Sequence, residues 1–126
     1  MATTMITGHV TSSREAIIRI AVRGAGAREE TIDAIIDTGF DGFLTFSASF
    51  VSDRALPFAG ATRAALGDGS EVSLDAFEAV VFWDSDERRV VTLETGSQAL
   101  VGMAMLSGYR VELDVVEDGR VAIHAI

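Results

Sequence analysis

The fold of this chain is predicted above all by the stretch Ala34-Ile35-Ile36-Asp37-Thr38-Gly39-Phe40-Asp41-Gly42-Phe43-Leu44-Thr45-Phe46. Two apolar runs of strand length enclose a loop of small and acidic residues. Asp37 follows the first run directly, so we expect its carboxylate to be partly buried. Because burying an ionised carboxylate is costly without hydrogen bonds, the Thr38 hydroxyl and the backbone N–H groups near the glycines are its expected partners.

Two interpretations of Asp37 stay open on the residues alone. In the simpler one it caps a strand in an Asx-type turn, because Asp and Gly are the commonest turn residues. In the other it is a functional carboxylate. Histidine offers no competing site, since His9 and His124 lie in opposite terminal strands without a Gly-x-Ser-x-Gly elbow or a local carboxylate cluster. The acidic run 84–87 lacks the spacing of a calcium loop and is typical of a solvated hairpin end.

Composition excludes several classes of function. The 126 residues fit one domain, residues 1–126, and they include no cysteine and no lysine. Disulfides, thiolate metal sites, cysteine nucleophiles and Schiff-base chemistry are therefore excluded. The net charge of −9 argues against nucleic acid and anionic membranes as partners. Without a signal peptide or a long apolar run, the expected location is the cytoplasm.

Short apolar runs punctuated by glycine predict a mainly β domain with three hairpins. Ser47 is the expected N-cap of a short helix over 48–55 that Pro57 stops, and 103–106 form one helical turn ended by Gly108. Alternation over 109–116 predicts one wet and one buried face. The predicted strands span residues 5–10, 16–23, 30–36, 63–66, 71–74, 77–83, 89–93, 109–116 and 120–126.

Three ordered features resemble one known family. Ile35-Ile36-Asp37-Thr38-Gly39 resembles the active-site motif of the aspartic proteases, and Ala99-Leu100-Val101-Gly102, leading into Met103-Ala104-Met105-Leu106, resembles their second signature. Between them, a hairpin with Gly67-Asp68-Gly69 at its tip resembles the flap. Order and spacing are similar to those of a single retropepsin-like subunit, from the second strand onward. The resemblance implies a mainly β, retropepsin-like half-barrel with a flap hairpin and one or two short helices.

The resemblance also implies roles for particular residues. Asp37 would be the catalytic aspartate, Thr38 the hydroxyl that braces two active-site loops across a dimer, and Gly39 a source of backbone groups for the dyad and substrate. Asp41 matches a position that contacts the substrate backbone or a partner's arginine. Gly102 would pack its turn against the active-site loop.

The flap residues Gly67, Asp68 and Gly69 would close over substrate, bending at the glycines and binding an extended peptide through the main chain. The implied activity is that of a homodimeric aspartic endopeptidase acting on peptide or unfolded protein, with no metal and no cofactor. One Asp37 from each subunit would form the dyad. Two adjacent carboxylates cannot both ionise easily, so they share one proton; aspartic proteases are the established example.

Two departures from the family pattern keep alternatives open. Phe40 stands where a small residue is common and is expected to crowd the cleft, and Met103 stands where retroviral enzymes usually carry arginine. The first alternative is a catalytically weak or inactive retropepsin-like module that binds peptide or dimerises. The second is an unrelated small β-barrel in which Asp37 only caps a turn. Glu94-Thr95-Gly96 is interpreted as a strand end and turn, not as a second active-site motif.

Overall fold

The computed structural model describes residues 5–24, 26, 28–65, 68–96 and 98–126. It contains ten strands and two short helices over that part of the chain. In chain order they are β1 Met5–Val10, β2 Ala16–Arg23, β3 Glu29–Ile36, β4 Leu44–Ser47, α1 Ala48–Asp53, β5 Phe58–Ala65, β6 Glu71–Trp83, β7 Asp86–Thr95, β8 Leu100–Val101, α2 Met103–Leu106, β9 Tyr109–Leu113 and β10 Arg120–Ala125. The expected mainly β fold is confirmed.

Six of the strands close into a barrel. The sheet runs in the order β5-β6-β7-β4-β8-β3-β2-β1-β10-β9, and an additional pairing of β6 with β2 closes the ring. The β5–β6 hairpin extends from one side of the ring, and β1, β10 and β9 extend from the other. The first five residues of β6 are exposed or half-buried, and buried residues recur only from Ala76 onward. The first part of this strand therefore lies outside the barrel and forms one arm of the hairpin.

The core fills the barrel because side chains alternate across each strand. In β2 the residues Ile18, Ile20 and Val22 are buried while Arg19 between them is exposed. The largest fully buried side chains include Trp83 from β6 and Phe46 from β4. This alternation is the reason that the strands can be predicted from the sequence.

The Ser47 cap is confirmed. Its side-chain oxygen accepts a hydrogen bond from the backbone N–H of Phe50 at 3.2 Å, which begins α1. The helix ends at Asp53, earlier than expected, because Ala55 takes a positive φ of 51° before Pro57. The turn of α2 is also confirmed, and Gly108 follows it with a φ of 88°.

Two predicted hairpins need correction. The turn expected over 84–87 consists of Asp84 and Ser85 alone, and residues 86 and 87 belong to β7. Both turn residues have positive φ, 53° and 71°, as in a two-residue type I′ turn. The acidic residues 86 and 87 suggested a longer turn. They lie in a strand instead, where cross-strand pairs such as Phe82 with Glu87 accommodate them.

The expected strand over 109–116 ends at Leu113, and its inner face is less buried than predicted. Leu113, Val115 and Val116 are exposed by 40, 60 and 65%. The prediction of 71–74 and 77–83 as separate strands is also wrong, because β6 runs through both. No helix within the described ranges is long and apolar enough to cross a membrane.

Candidate active site

Asp37 lies where β3 leaves the barrel and enters the Asp-Thr-Gly loop, residues 37–43. Its backbone N–H donates to the carbonyl of Val101 at 2.9 Å, which continues the parallel pairing of β3 with β8. Its side-chain Oδ1 accepts a hydrogen bond from the N–H of Gly39 at 2.9 Å. The side chain is half-buried.

This geometry is the Asx turn of the simpler interpretation, and it leaves capacity for a second role. A carboxylate carries two oxygens, and within the described residues only Oδ1 of Asp37 makes a hydrogen bond. Oδ2 is therefore available to a water, a substrate or another carboxylate. The Gly39 N–H fixes the orientation of the side chain, so the free oxygen is held in a defined place.

The turn around Gly102 holds the Asp-Thr-Gly loop by three backbone hydrogen bonds. Gly102 donates to the carbonyl of Phe43 at 2.9 Å, Met103 to that of Phe40 at 2.8 Å and Ala104 to that of Gly42 at 3.1 Å. A Cβ at position 102 would collide with the Gly42 carbonyl oxygen and the Phe40 ring. The packing of this glycine against the loop is therefore as the resemblance implied.

Phe40 takes part in the same contact. Its ring lies across the Cα positions of Gly42 and Gly102, so a Cβ on either glycine would overlap it. It also borders the neighbouring cleft. Phe40 thus packs against the loop as well as bordering the cleft that it is expected to crowd.

A buried threonine, which the sequence did not single out, braces the same region. Thr45 is 2% exposed; its hydroxyl donates to the Gln98 carbonyl at 3.1 Å and accepts from the N–H of Leu100 at 3.0 Å. It thereby joins β4 to the segment entering β8. A threonine in an apolar run is an ordinary strand residue, so no signal in the sequence marked it.

A cleft lies between the Asp-Thr-Gly loop and the β5–β6 hairpin, with a volume of about 730 Å³. The loop lines it with Gly39 to Phe43, so Asp41 of the predicted site is in its wall. The barrel contributes apolar side chains, including Val91, which is 49% exposed. The other lining residues, which the sequence analysis did not assign to a site, are Thr62, Arg63, Ala65, Glu71, Ala76 and Leu93.

The predicted hairpin is present, with Ala65 opposite Glu71. Near its tip Asp68 accepts hydrogen bonds from the Ser70 hydroxyl at 2.6 Å and the Ser70 N–H at 2.9 Å. These bonds hold the pKa of Asp68 below its ordinary value of 3.8. They therefore persist through the mildly acidic range and are lost as the pH falls through the lowered pKa. Gly67 lies outside the described residues.

Of the predicted site, the structure places Gly39 and Asp41 in the cleft wall, and Asp37 and Thr38 at the entrance of the same loop. Asp68 and Gly69 lie beyond the cleft at the exposed end of the hairpin. Within the described residues, no group of three His, Cys, Asp or Glu side chains is arranged to hold a metal ion. His124 contacts Glu112 at 2.9 Å, away from the cleft-lining residues.

Gly69 permits a specific test of the hairpin tip. It has a φ of 87° and no heavy atom within 4 Å of a Cβ built there. We expect Gly69→Val to cost about 1–2 kcal/mol of local backbone strain, to leave the barrel folded and to raise KM or lower kcat for a peptide. Gly69→Asn is the matched control, because asparagine tolerates positive φ better. Equal peptide kinetics for the valine variant and the wild type would refute a role of the tip in binding.

The structure combines a closed six-stranded barrel, a hairpin over a cleft and a glycine turn that is hydrogen-bonded to an Asp-Thr-Gly loop. Together these features define the class: the fold is retropepsin-like. The chain is similar to the crystal structure of a retropepsin-like aspartic protease from Rickettsia conorii. The alignment covers 99% of this chain and 95% of that chain, with a TM-score of 0.60 and 11% sequence identity. No protein-family model matches the chain, and no curated protein matches it in sequence.

Proposed function

We propose that this chain is an aspartic endopeptidase that works as a homodimer, with one Asp37 from each subunit in a shared dyad. The observation that carries the proposal is the Asp37 carboxylate: Oδ1 is fixed by the Gly39 N–H, and Oδ2 has no partner among the described residues. The similarity of fold to a retropepsin-like aspartic protease supports the same chemistry.

A dimer is required because the chain contains one Asp-Thr-Gly sequence. A two-fold axis beside the loop would bring two equivalent carboxylates together. Their mutual repulsion favours a state with one shared proton. The ionised carboxylate then takes a proton from the attacking water, and the protonated one donates to the carbonyl oxygen of the scissile amide. Thr38 is exposed on the same loop, and in the proposed dimer its hydroxyl would contact its counterpart across the axis.

The substrate would lie in the cleft as an extended peptide. Exposed backbone at Gly39 and the neighbouring Asp41 carboxylate offer hydrogen bonds to its main chain. The β5–β6 hairpin, with Asp68 and Gly69 near its tip, would close over it and exclude water. The expected substrate is peptide or unfolded protein. No part in this scheme requires nucleic acid, a membrane, a metal or a cofactor, and we expect a cytoplasmic location.

The proposal is tested by peptide cleavage measured against pH. A dyad that shares one proton should give a bell-shaped rate profile with its optimum on the acidic side of neutral. A statine-type inhibitor, which mimics the tetrahedral intermediate, should abolish cleavage. A rate that climbs steadily into the alkaline range, or one that a statine leaves unchanged, would contradict the proposal.

The second candidate is a peptide-binding or dimerisation module without turnover. It is favoured by Phe40, whose ring fills space beside the loop, and by Met103 at the position where retroviral enzymes usually carry arginine. Saturable binding of a peptide without products, under the conditions of the same assay, would select this candidate.

A further inference from the structure

The β5–β6 hairpin brings an ion pair into the cleft. Arg63 of β5 and Glu71 of β6 both line it, and the Arg63 Nη1 donates to the Glu71 Oε2 at 3.1 Å. Phe43 of the Asp-Thr-Gly loop and Val91 of β7 line the same cleft and are 36 and 49% exposed. A peptide bound in the cleft therefore meets apolar surface and charged side chains together.

The charges that line the cleft do not cancel. Among the described lining residues the charged ones are Asp41, Arg63 and Glu71, two acidic and one basic. Arg63 and Glu71 offset one another, and the Oε1 of Glu71 has no partner among the described residues. Asp41 is exposed on the loop and leaves the wall with a net charge of one unit on the acidic side.

The rest of the hairpin carries charge of the same sign. Its other charged side chains within the described residues are Asp68 and Asp75. The Ser70 hydroxyl and N–H donate to Asp68 and hold the pKa of that carboxyl below its ordinary value, so it stays ionised in the mildly acidic range. The field above the cleft is therefore negative under the conditions that suit an aspartic dyad, and the chain as a whole carries −9.

We propose that Glu71 is a specificity residue, and that the cleft selects peptides in which a lysine or arginine side chain lies close to an apolar one. The inference rests on the proposed function, because it names the substrate class of the same cleft. The apolar side chain would contact lining residues such as Val91, and the cation would bind the Oε1 that Arg63 leaves free. An acidic side chain at the same place would be repelled, so the site discriminates against one class while it attracts the other.

Arg63 is less suited to select an acidic peptide. Its guanidinium charge is offset by Glu71, which occupies Nη1. A substrate carboxylate could reach the remaining N–H groups only beside the Glu71 carboxylate, where like charges repel. Asp41, in the same cleft wall, adds to that repulsion.

The ion pair can be changed without unfolding the domain. The Arg63 and Glu71 side chains are 80 and 58% exposed, and exposed pairs contribute little to stability. A change in peptide selection on substitution then reports the charge in the cleft and not a loss of fold.

The test uses three peptides that differ at one residue beside an apolar one, with lysine, glutamine or glutamate there. Cleavage is measured as kcat/KM on the wild type, and binding as Kd by fluorescence anisotropy on Asp37→Asn, at about pH 6, where carboxylates are ordinarily ionised. We expect the lysine peptide to be preferred over the glutamine peptide about fivefold in both measurements, and the glutamate peptide to be the poorest. The preference should fade from about 0.1 M to 1 M salt, because the screening length drops from about 10 to 3 Å.

Three substitutions should move the preference in different directions. Glu71→Gln removes the net charge of the wall, and the lysine and glutamine peptides should become about equal. Arg63→Gln leaves both acidic residues uncompensated and should strengthen the preference for lysine. Glu71→Lys makes the wall positive and should invert the order, so that the glutamate peptide is preferred.

Matched controls separate the cleft from the overall charge. Glu87→Gln changes the net charge as Glu71→Gln does, at a side chain 53% exposed and paired with Arg23 at 3.1 Å, outside the cleft lining. Arg19→Gln matches Arg63→Gln at a side chain 73% exposed. Both controls should keep the wild-type preference.

A wild type that favours the glutamate or the glutamine peptide, a Glu71→Gln variant with the wild-type preference, or a Glu87→Gln control that loses it as fully as Glu71→Gln would each overturn the inference. The two readouts distinguish it from the proposed function. Statine-sensitive cleavage with no preference among the three peptides refutes the role of Glu71 and leaves the protease proposal standing. Binding that follows the charge series without any cleavage by the wild type supports the role of Glu71 in selection and refutes the protease proposal.

Discussion

Replacing Asp37 by asparagine is expected to reduce peptide cleavage by a factor of about 10²–10⁴ or more, because the acid–base group is lost from both subunits at once. Folding should be preserved, since the side-chain oxygen of asparagine can still accept the hydrogen bond from the Gly39 N–H. Dimer formation should persist or strengthen, because two like carboxylates no longer face each other. Cleavage rate and sedimentation of the variant and the wild type are the measurements.

Asp33→Asn is the matched control. It removes the same charge from β3, the strand that leads to Asp37, where the Asp33 side chain is 68% exposed and pairs with Arg19 at 3.7 Å. An exposed pair of this kind contributes little, so cleavage should stay at the wild-type rate. If Asp37→Asn also cut peptide at that rate, the carboxylate would be a turn cap and no dyad would exist.

Replacing Gly102 by alanine is expected to damage stability and activity together. The added Cβ meets the Gly42 carbonyl and the Phe40 ring, and backbone cannot move aside as a flexible side chain can. Overpacking of this kind costs about 1–3 kcal/mol in the free energy of unfolding. The Asp-Thr-Gly loop must shift to relieve it, and a displacement of about 1 Å at a catalytic group lowers the rate about 10²-fold.

Gly96→Ala provides the comparison, because a Cβ at that position has no heavy atom within 4 Å. Thermal unfolding and peptide cleavage of the two variants separate a general effect of losing a glycine from the specific contact. We expect Gly96→Ala to match the wild type in both. A Gly102→Ala variant as stable and as active as Gly96→Ala would show that the turn does not hold the loop.

Much of the β structure could be predicted because each signal was local. The buried and exposed residues of β2 alternate in sequence as they do in the barrel, and Ser47 caps α1 as its position suggested. Where predictions failed, pairing with a neighbouring strand decided the outcome. Glu87 lies in a strand because it pairs with Phe82. Strand β6 continues through residues 75 and 76 because residue 75 pairs with β5 and residue 76 pairs with both β5 and β7.

The candidate site divides in the same way. Asp37, Thr38 and Gly39 are contiguous, so their motif and its Asx turn were visible in the sequence. The cleft wall is not contiguous: Arg63 and Glu71 come from the hairpin and Val91 from β7, and barrel closure brings them to one place. The periodicity of one segment does not predict which other segments line the cleft with it.

Local sequence specifies much of the strand pattern, the helix cap and the Asp-Thr-Gly loop, because short-range sterics, hydrogen bonding and alternating burial act between near neighbours in the chain. Long-range packing sets the closure of β6 on β2, the brace that Thr45 makes between β4 and Gln98, and the packing of Gly102 against Phe40. These contacts join residues far apart in sequence. They form because burying the inner faces of the strands leaves the barrel as the arrangement in which their backbone groups are also paired.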